Sequence, residues 1–313
     1  MGKLSATILL ALALASCTPH TKSVGQPGEV EVTGNNAKAV ETVDRMLTLT
    51  FVDGVLQHEH TFDVTMVTGG TSKKTHHGRC VVTVEADPAK YDKTRIRYEI
   101  DKWAKPQLAV TITTPSADRL DTDMRRTLGS KFKQRLEAFE LAEAIKTLRK
   151  AHLPGMEQRV KQVTGHTILI PKDMGAVKEG KHFIWLSNNT ATGMRNICVY
   201  TFPGTDLGTA YLMDKRDSVM EANIPGEIPG MYMQTVRNYS PYTRTILAGG
   251  LHRKEIRGLW YMKGDAMGGP FICHAIADTA RSRTLVAEGF VFAPETKKRN
   301  IIKQLEAVLY TLK

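Results

Sequence analysis

An α+β fold is expected, built as two largely antiparallel sheets with long amphipathic helices packed on one face, and three observations carry this. Alternating apolar runs such as Glu29–Thr33 and Arg95–Ile100 mark strands that bury one face. Two apolar stripes at helical spacing, over residues 116–139 and 301–312, mark long helices. Each half of the chain also runs strands first and a long helix afterwards, an order that segregates layers instead of alternating them.

In chain order, Glu29-Val-Glu-Val-Thr33 reads as the first strand. Asn35 or Asn36 caps a helix to about Leu49, with Val40, Val43 and Leu47 on its apolar face. Phe51 to Gly78 reads as loop and holds His58, His60, His76 and His77. Histidines at i and i+2 on extended chain project the same way, as metal ligands do. No third ligand stands at a recognisable spacing, so no metal site is expected. Cys80–Glu85 and Leu108–Thr113 have strand character and flank Arg95–Ile100, whose Ile96, Tyr98 and Ile100 share a face. Trp103 reads as a packing anchor at a strand end. Ser116 caps a long helix with a buried stripe of Leu120, Met124, Leu128, Phe132, Leu136 and Phe139. Gly129 weakens that helix by about 1 kcal/mol and marks a bend. The helix stops before Pro154, and a short one, Met156–Val163, ends at Gly165.

Thr167–Pro171, Phe183–Leu186 and Ile197–Phe202 read as strands, followed by a helix over Tyr211–Ala222. Met231–Met233 and Thr243–Ala248 are short strands. The second half is arranged about Arg257–Phe271, a strand with Trp260 and Met262 on one side that breaks at Gly264-Asp265 and Gly268-Gly269-Pro270. Glycines in such a crossing let backbone approach backbone. Phe271–Ala277 and Leu285–Phe292 pair next, and a closing helix carries Ile301, Ile302, Leu305, Val308, Leu309 and Leu312 on one face.

The first residues read as an address. Lys3 precedes an apolar stretch, Ile8–Ala15, far too short to span a bilayer as a mature helix. Leu14-Ala-Ser-Cys17 resembles the lipobox of bacterial lipoproteins, in which the cysteine sulfur accepts a diacylglyceryl group. Two or three acyl chains, palmitate among them, anchor a protein stably where one does not. The expected organisation is therefore a signal peptide over 1–16, lipidated Cys17 with a tether over 17–28, an N-terminal α+β subdomain over 29–165 and a C-terminal one over 166–313. The tether, Thr18–Gly28, reaches at most about 40 Å, which keeps the body near the bilayer. No acidic run follows Cys17, which favours a periplasm-facing protein of the outer membrane.

With Cys17 lipidated, Cys80, Cys198 and Cys273 remain, an odd number in apolar runs, and buried free thiols are favoured over a Cys198–Cys273 bridge. The formal charge of +11 fits a solvated basic surface near anionic lipid. No basic–aromatic motif points to nucleic acid.

Two clusters stand out chemically. Asp265, His274 and Glu288, with Arg257, lie on adjacent expected strands and form either an acid/base group or buried ion pairs, the latter favoured. Lys297, Lys298 and Arg299 open the last helix, where free N–H groups and cations hold phosphate or carboxylate. There is no Gly-x-Ser-x-Gly elbow, His-Glu-x-x-His, Cys-x-x-Cys or nucleotide-binding glycine loop, and no cofactor is expected.

Phe183-Ile-Trp-Leu186, Lys215-Arg-Asp-Ser218, Met231-Tyr-Met233, Arg257-Gly-Leu-Trp260, Lys263–Phe271, Glu288–Pro294 and Lys298-Arg299 occur in a characteristic order. That order resembles the lipoproteins of the Bacteroidota grouped as domain of unknown function 4837. Tyr98–Trp103 and Pro106–Pro115 extend the likeness over nearly the whole mature chain, the second half being the more specific. The resemblance implies an envelope lipoprotein and brings no activity or catalytic residue with it. The expectation is a membrane-anchored, non-catalytic protein binding an envelope component or partner. The alternatives are an envelope hydrolase using Asp265, His274 and Glu288, and a module for anions or lipid headgroups.

Overall fold

The computed structural model describes residues 21–52, 58–67 and 76–313, and Cys17 lies outside them. The fold is α+β, with two sheets that each have their own core. A short parallel ladder of β1 (Thr21–Lys22) with β6 (Ala104–Lys105) stands beside them.

The first sheet is built from β2 (Glu29–Gly34), β3 (Asp63–Val67), β4 (Cys80–Ala86), β5 (Arg95–Ile100) and β7 (Leu108–Thr114), in the order β3-β2-β4-β7-β5. It is mostly parallel, which corrects the antiparallel expectation: β2 runs with β3 and β4, and β4 with β7, while β5 alone opposes β7. The physical cause is the crossover through α1 (Ala37–Thr48), which returns the chain to the end it left and sets the next strand in the same direction. The core side takes Val30, Val32, Val82, Val84, Val110 and Ile112, while Thr33, Thr83, Thr111 and Thr113 on the other side stay half-exposed. A parallel sheet covered unequally therefore alternates like an antiparallel one. β3 also lies in the stretch expected to be loop.

Asn36 caps α1 by accepting from the Ala39 N–H at 3.0 Å, and Ser116 Oγ accepts from the Arg119 N–H at 3.2 Å. The helix after Ser116 comprises α2 (Ala117–Asp123), a π turn (Met124–Leu128) and α3 (Gly129–Lys150). A Cβ at Gly129 would stand 2.5 Å from the Met124 carbonyl oxygen, so the π turn requires glycine there.

The second sheet holds β8 (Ala176–Gly180), β9 (Phe183–Ser187), β10 (Met194–Pro203), β11 (Tyr232–Thr235), β12 (Tyr242–Ala248), β13 (Leu251–Lys263), β14 (Gly268–Asp278) and β15 (Arg283–Phe292). Its order is β11-β13-β14-β15-β10-β9-β8, with β12 also on β13, and every pairing is antiparallel. Helices cover both faces here, not one. α5 (Thr209–Asn223) sits on one side, and α4 (Pro154–Thr164) with α6 (Arg299–Leu309) on the other. The reason is visible in β15, where Leu285 and Ala287 join the α6-side core while Val286 and Phe290 join the α5-side core. Strands apolar on both sides need two layers of cover.

Three details refine the expected organisation. The segment expected as a tether is docked from Thr21 onward, through β1, a Val24 N–H bond to the His77 carbonyl at 2.8 Å, and the Pro27 carbonyl accepting from Arg299 at 3.2 Å. Thr167–Pro171 is extended without joining the sheet, because its partner is the chain end: Thr167 and Lys313 exchange backbone bonds at 3.1 and 2.8 Å. α4 precedes the expected break at 165/166, yet its Val160 packs in the second sheet's core, as does Leu148 of α3. No helix among the described residues is long and apolar enough to cross a membrane.

Candidate functional site

The three residues read as an acid/base group do not converge. Asp265 is exposed in the turn between β13 and β14. His274 faces α6. Glu288 stands in register with Cys273, one residue before His274, and so points through the opposite face toward α5. Successive side chains of a strand project to opposite sides, and residue parity separates the pair.

Each face instead holds its own buried ionic group. Under α5, Arg216 forks onto Glu288 with N–O distances of 2.7 to 3.1 Å, while Tyr200 donates to the same carboxylate at 3.3 Å. The guanidinium carbon lies 4.1 Å from the centre of the Phe271 ring, and a further N–H reaches Thr235 Oγ1 at 3.0 Å. Burial pushes the Glu288 carboxyl up from its ordinary value, and Arg216 pulls against it. Under α6, Arg257 bridges Glu255 at 2.9 Å and Glu306 at 2.6 Å, Arg244 adds a bond to Glu255 at 2.9 Å, and His274 Nε2 lies 3.3 Å from Glu255. Burial raises the Glu255 carboxyl, but His274, Arg257 and Arg244 together outweigh it and hold the group well below the usual carboxylate range. Burial lowers the His274 imidazole against the pull of Glu255.

Cys198 and Cys273 flank Glu288 on its two neighbouring strands. Two strand spacings, about 9.6 Å, exceed the Cα separation a disulfide spans. Both are buried free thiols, as is Cys80.

The start of α6 is already occupied by a carboxylate of the chain. Glu59 accepts from the backbone N–H of Lys298 at 2.7 Å and of Arg299 at 2.8 Å. Arg299 is buried and paired with Asp63 at 2.7 Å, while Lys297 is exposed. The anion geometry read at Lys297–Arg299 is real in kind, and its occupant comes from the first half of the chain. The histidines of that half do other work: His76 stacks on Trp103 with ring centres 4.3 Å apart, and His60 stacks on Phe51. Among the described residues no three His, Cys, Asp or Glu side chains gather as a metal site.

The second sheet opens beyond the end of α5. The helix stops at Asn223, and Ile224–Glu227 form one wall of a cleft of about 450 Å³ on the same face. Its volume lies within the range of about 300–1,000 Å³ found for small-molecule sites. The half-buried Trp185, Met194, Met267 and Phe292 line its edge, and the buried Met233, Trp260, Met262 and Phe290 lie beneath. Lys178, Glu227 and Asp265 stand at the rim. The glycines of the β13–β14 crossing make this floor possible. Trp260 Nε1 donates to the Val291 carbonyl at 3.2 Å, and a Cβ at Gly269 would stand 2.1 Å from that same oxygen. The indole thus reaches over β14 because Gly269 is bare.

Two buried polar residues, Ser187 and Asn196, interrupt the floor, paired in register across β9 and β10. Asn196 is fully buried, its Oδ1 accepts from Trp185 Nε1 at 2.9 Å, and its Nδ2 has no partner. Of the candidate site residues named from sequence, Asp265 alone reaches this cleft. Asn196, Trp185 and the methionines were missed. The available signal was a lone amide within the apolar run Met194–Phe202 and same-side aromatic or sulfur pairs such as Trp260/Met262 and Phe290/Phe292.

Residues 23–161 match the model of a domain of unknown function, DUF8532. Tyr98–Trp103 and Pro106–Pro115, expected to extend the likeness to domain of unknown function 4837 over nearly the whole mature chain, fall instead within this separate first-half match. No curated protein matches the chain. Residues 154–311, just over half of the chain and starting with α4, match the model of a second domain of unknown function, DUF4837. Trp185, Met233, Trp260, Met267, Phe290 and Phe292 of the cleft all fall within this span, and the chain belongs to the DUF4837 family.

Proposed function

We propose that this protein is a membrane-anchored envelope lipoprotein that faces the periplasm and acts without catalysis, receiving an apolar ligand in the cleft beside α5. The observation that carries the binding role is the cleft itself: an open, methionine- and aromatic-lined recess beside α5, continuous with the core of that face. Methionine is unbranched and polarisable and accommodates varied apolar shapes, which suits it to binding surfaces. The anchor rests on the Leu14-Ala-Ser-Cys17 motif and on the short apolar stretch before it. The hydrolase alternative is not favoured, because Asp265, His274 and Glu288 stand apart and the three buried carboxylates, Glu255, Glu288 and Glu306, are engaged by arginines. An anion-binding role at α6 is likewise not favoured, since Glu59 fills that position.

Two measurements test this reading. Nile red, a dye that brightens in apolar surroundings, should fluoresce with the purified protein and lose that signal in Met267→Glu, which sets a charge at the cleft edge. Equal signals from both proteins would remove the binding role. Radiolabelled palmitate should join the wild type and not Cys17→Ser, and equal labelling would remove the anchor.

A further inference from the structure

The structure assigns the cleft an acyl-chain ligand carrying an uncharged carbonyl, read by the Asn196 carboxamide; this deepens the binding role proposed above and rests on it. An indole N–H can only donate, so Trp185 Nε1, 2.9 Å away, fixes which end of the Asn196 amide is oxygen. The NH₂ end is then left in the floor with two donors and no partner, on a residue that exposes none of its surface. Buried donors in native proteins are almost always satisfied, and one left open where a cleft begins is a place kept for an acceptor.

The chemistry of that acceptor follows from its surroundings. Met194, Met233, Met262, Trp260 and Phe290 demand an apolar body. An ionised carboxylate at the floor would be desolvated with no cation beside it, because the lysine of the lining, Lys178, stands exposed at the rim and donates to the Asn223 carbonyl at 2.9 Å. A peptide would bring backbone N–H groups as well as carbonyls, and the buried acceptors of the floor, Asn196 Oδ1 and Ser187 Oγ, are already engaged by Trp185 and by the Asn189 N–H, which leaves those N–H groups unpaired. An ester or amide carbonyl at the head of a hydrocarbon chain meets both conditions. Such a group occurs in membrane phospholipids and in free acyl esters alike.

The test titrates the protein with methyl laurate and with dodecane, an apolar chain of similar length without an acceptor, reading the emission of Trp185 and Trp260. Wild type should bind the ester about tenfold more tightly than the alkane, the ratio expected for one buried hydrogen bond. Asn196→Leu and Asn196→Asp should both lose that preference, the second because it keeps an acceptor for Trp185 and removes the donor. Equal affinity for ester and alkane in wild type would overturn the carbonyl assignment and leave the cleft standing. Binding of neither would overturn the acyl ligand and the cleft reading together, and binding of an apolar peptide in their place would overturn the acyl ligand. Intact preference in Asn196→Asp would show that Asn196 is structural and overturn its role. Cosedimentation with phosphatidylethanolamine vesicles, lost in Asn196→Asp, would identify the membrane as the source; binding of methyl laurate alone would identify a free ester.

Discussion

The two faces of the second sheet come from the same strands and are filled differently. Toward α6 the core is branched and aliphatic, with Ile184, Ile197, Ile272, Leu285, Ile302 and Leu305 among its members. Toward α5 it is aromatic and sulfur-rich, with Phe183, Tyr200, Met213, Met220, Trp260 and Phe290. Branched residues have few rotamers and interdigitate into a closed layer. Rings and methionines fill space less regularly, and α5 ends before the sheet does. One face is thus finished by packing, and the other ends in a cleft. The contrast teaches that core composition, as well as helix length, separates a sealed face from one that ends in an open recess.

The sharpest break of this comparison is at the sealed ion pair. Glu288→Ala should cost about 3–5 kcal/mol in urea unfolding, because Arg216 is left buried and uncompensated. Replacing both by Leu and Met should restore most of the loss. Next, Leu305→Ala on the closed face should cost about 2–5 kcal/mol, since Leu305 packs onto bare Gly289 and cannot be replaced from solvent. Met267→Ala at the cleft edge should cost less than about 1 kcal/mol, and equal costs would erase the distinction between the faces.

Acid should act through the α6 face. His274 is buried with its pKa held below the ordinary 6.5, facing Glu255, Arg253, Glu306 and the Tyr310 ring. The unfolded chain then binds the proton more readily, so stability is full above about pH 6.5 and falls as pH drops below it. Against burial in both, Glu255 is depressed from 4.5 by His274, Arg257 and Arg244, and Glu306 by Arg257 and Lys303; their contribution is full above about pH 4.5 and is lost as pH falls further. Urea midpoints measured against pH should show the first loss disappear in His274→Gln.

A smaller effect is expected where the halves meet. Glu59→Ala should cost about 0.5–2 kcal/mol by uncapping α6. It should also create a phosphate site, so that phosphate raises the melting temperature of the variant and not of the wild type.

Much of the fold was legible in local chemistry. Asn36 and Ser116 cap where capping residues should, and at Gly129, where a bend was expected, a π turn ends. Strand direction in the first sheet was not legible, because half-exposed threonines opposite a valine face produce alternation whichever way neighbours run. β8, Ala-Val-Lys-Glu-Gly, is an exposed edge strand and carries no apolar pattern to read. The pairing of Glu59 with α6 joins residues about 240 apart, beyond any spacing rule. The cleft was hidden for the same reason: six strands each contribute one to three residues, and only their register assembles them.

Native mass spectrometry of the protein released gently from its own membranes tests the binding face most directly. The expected result is an added mass that fragments to an acyl chain, present on wild type and absent from Met267→Glu. An unoccupied wild type, or the same mass on both proteins, would contradict it.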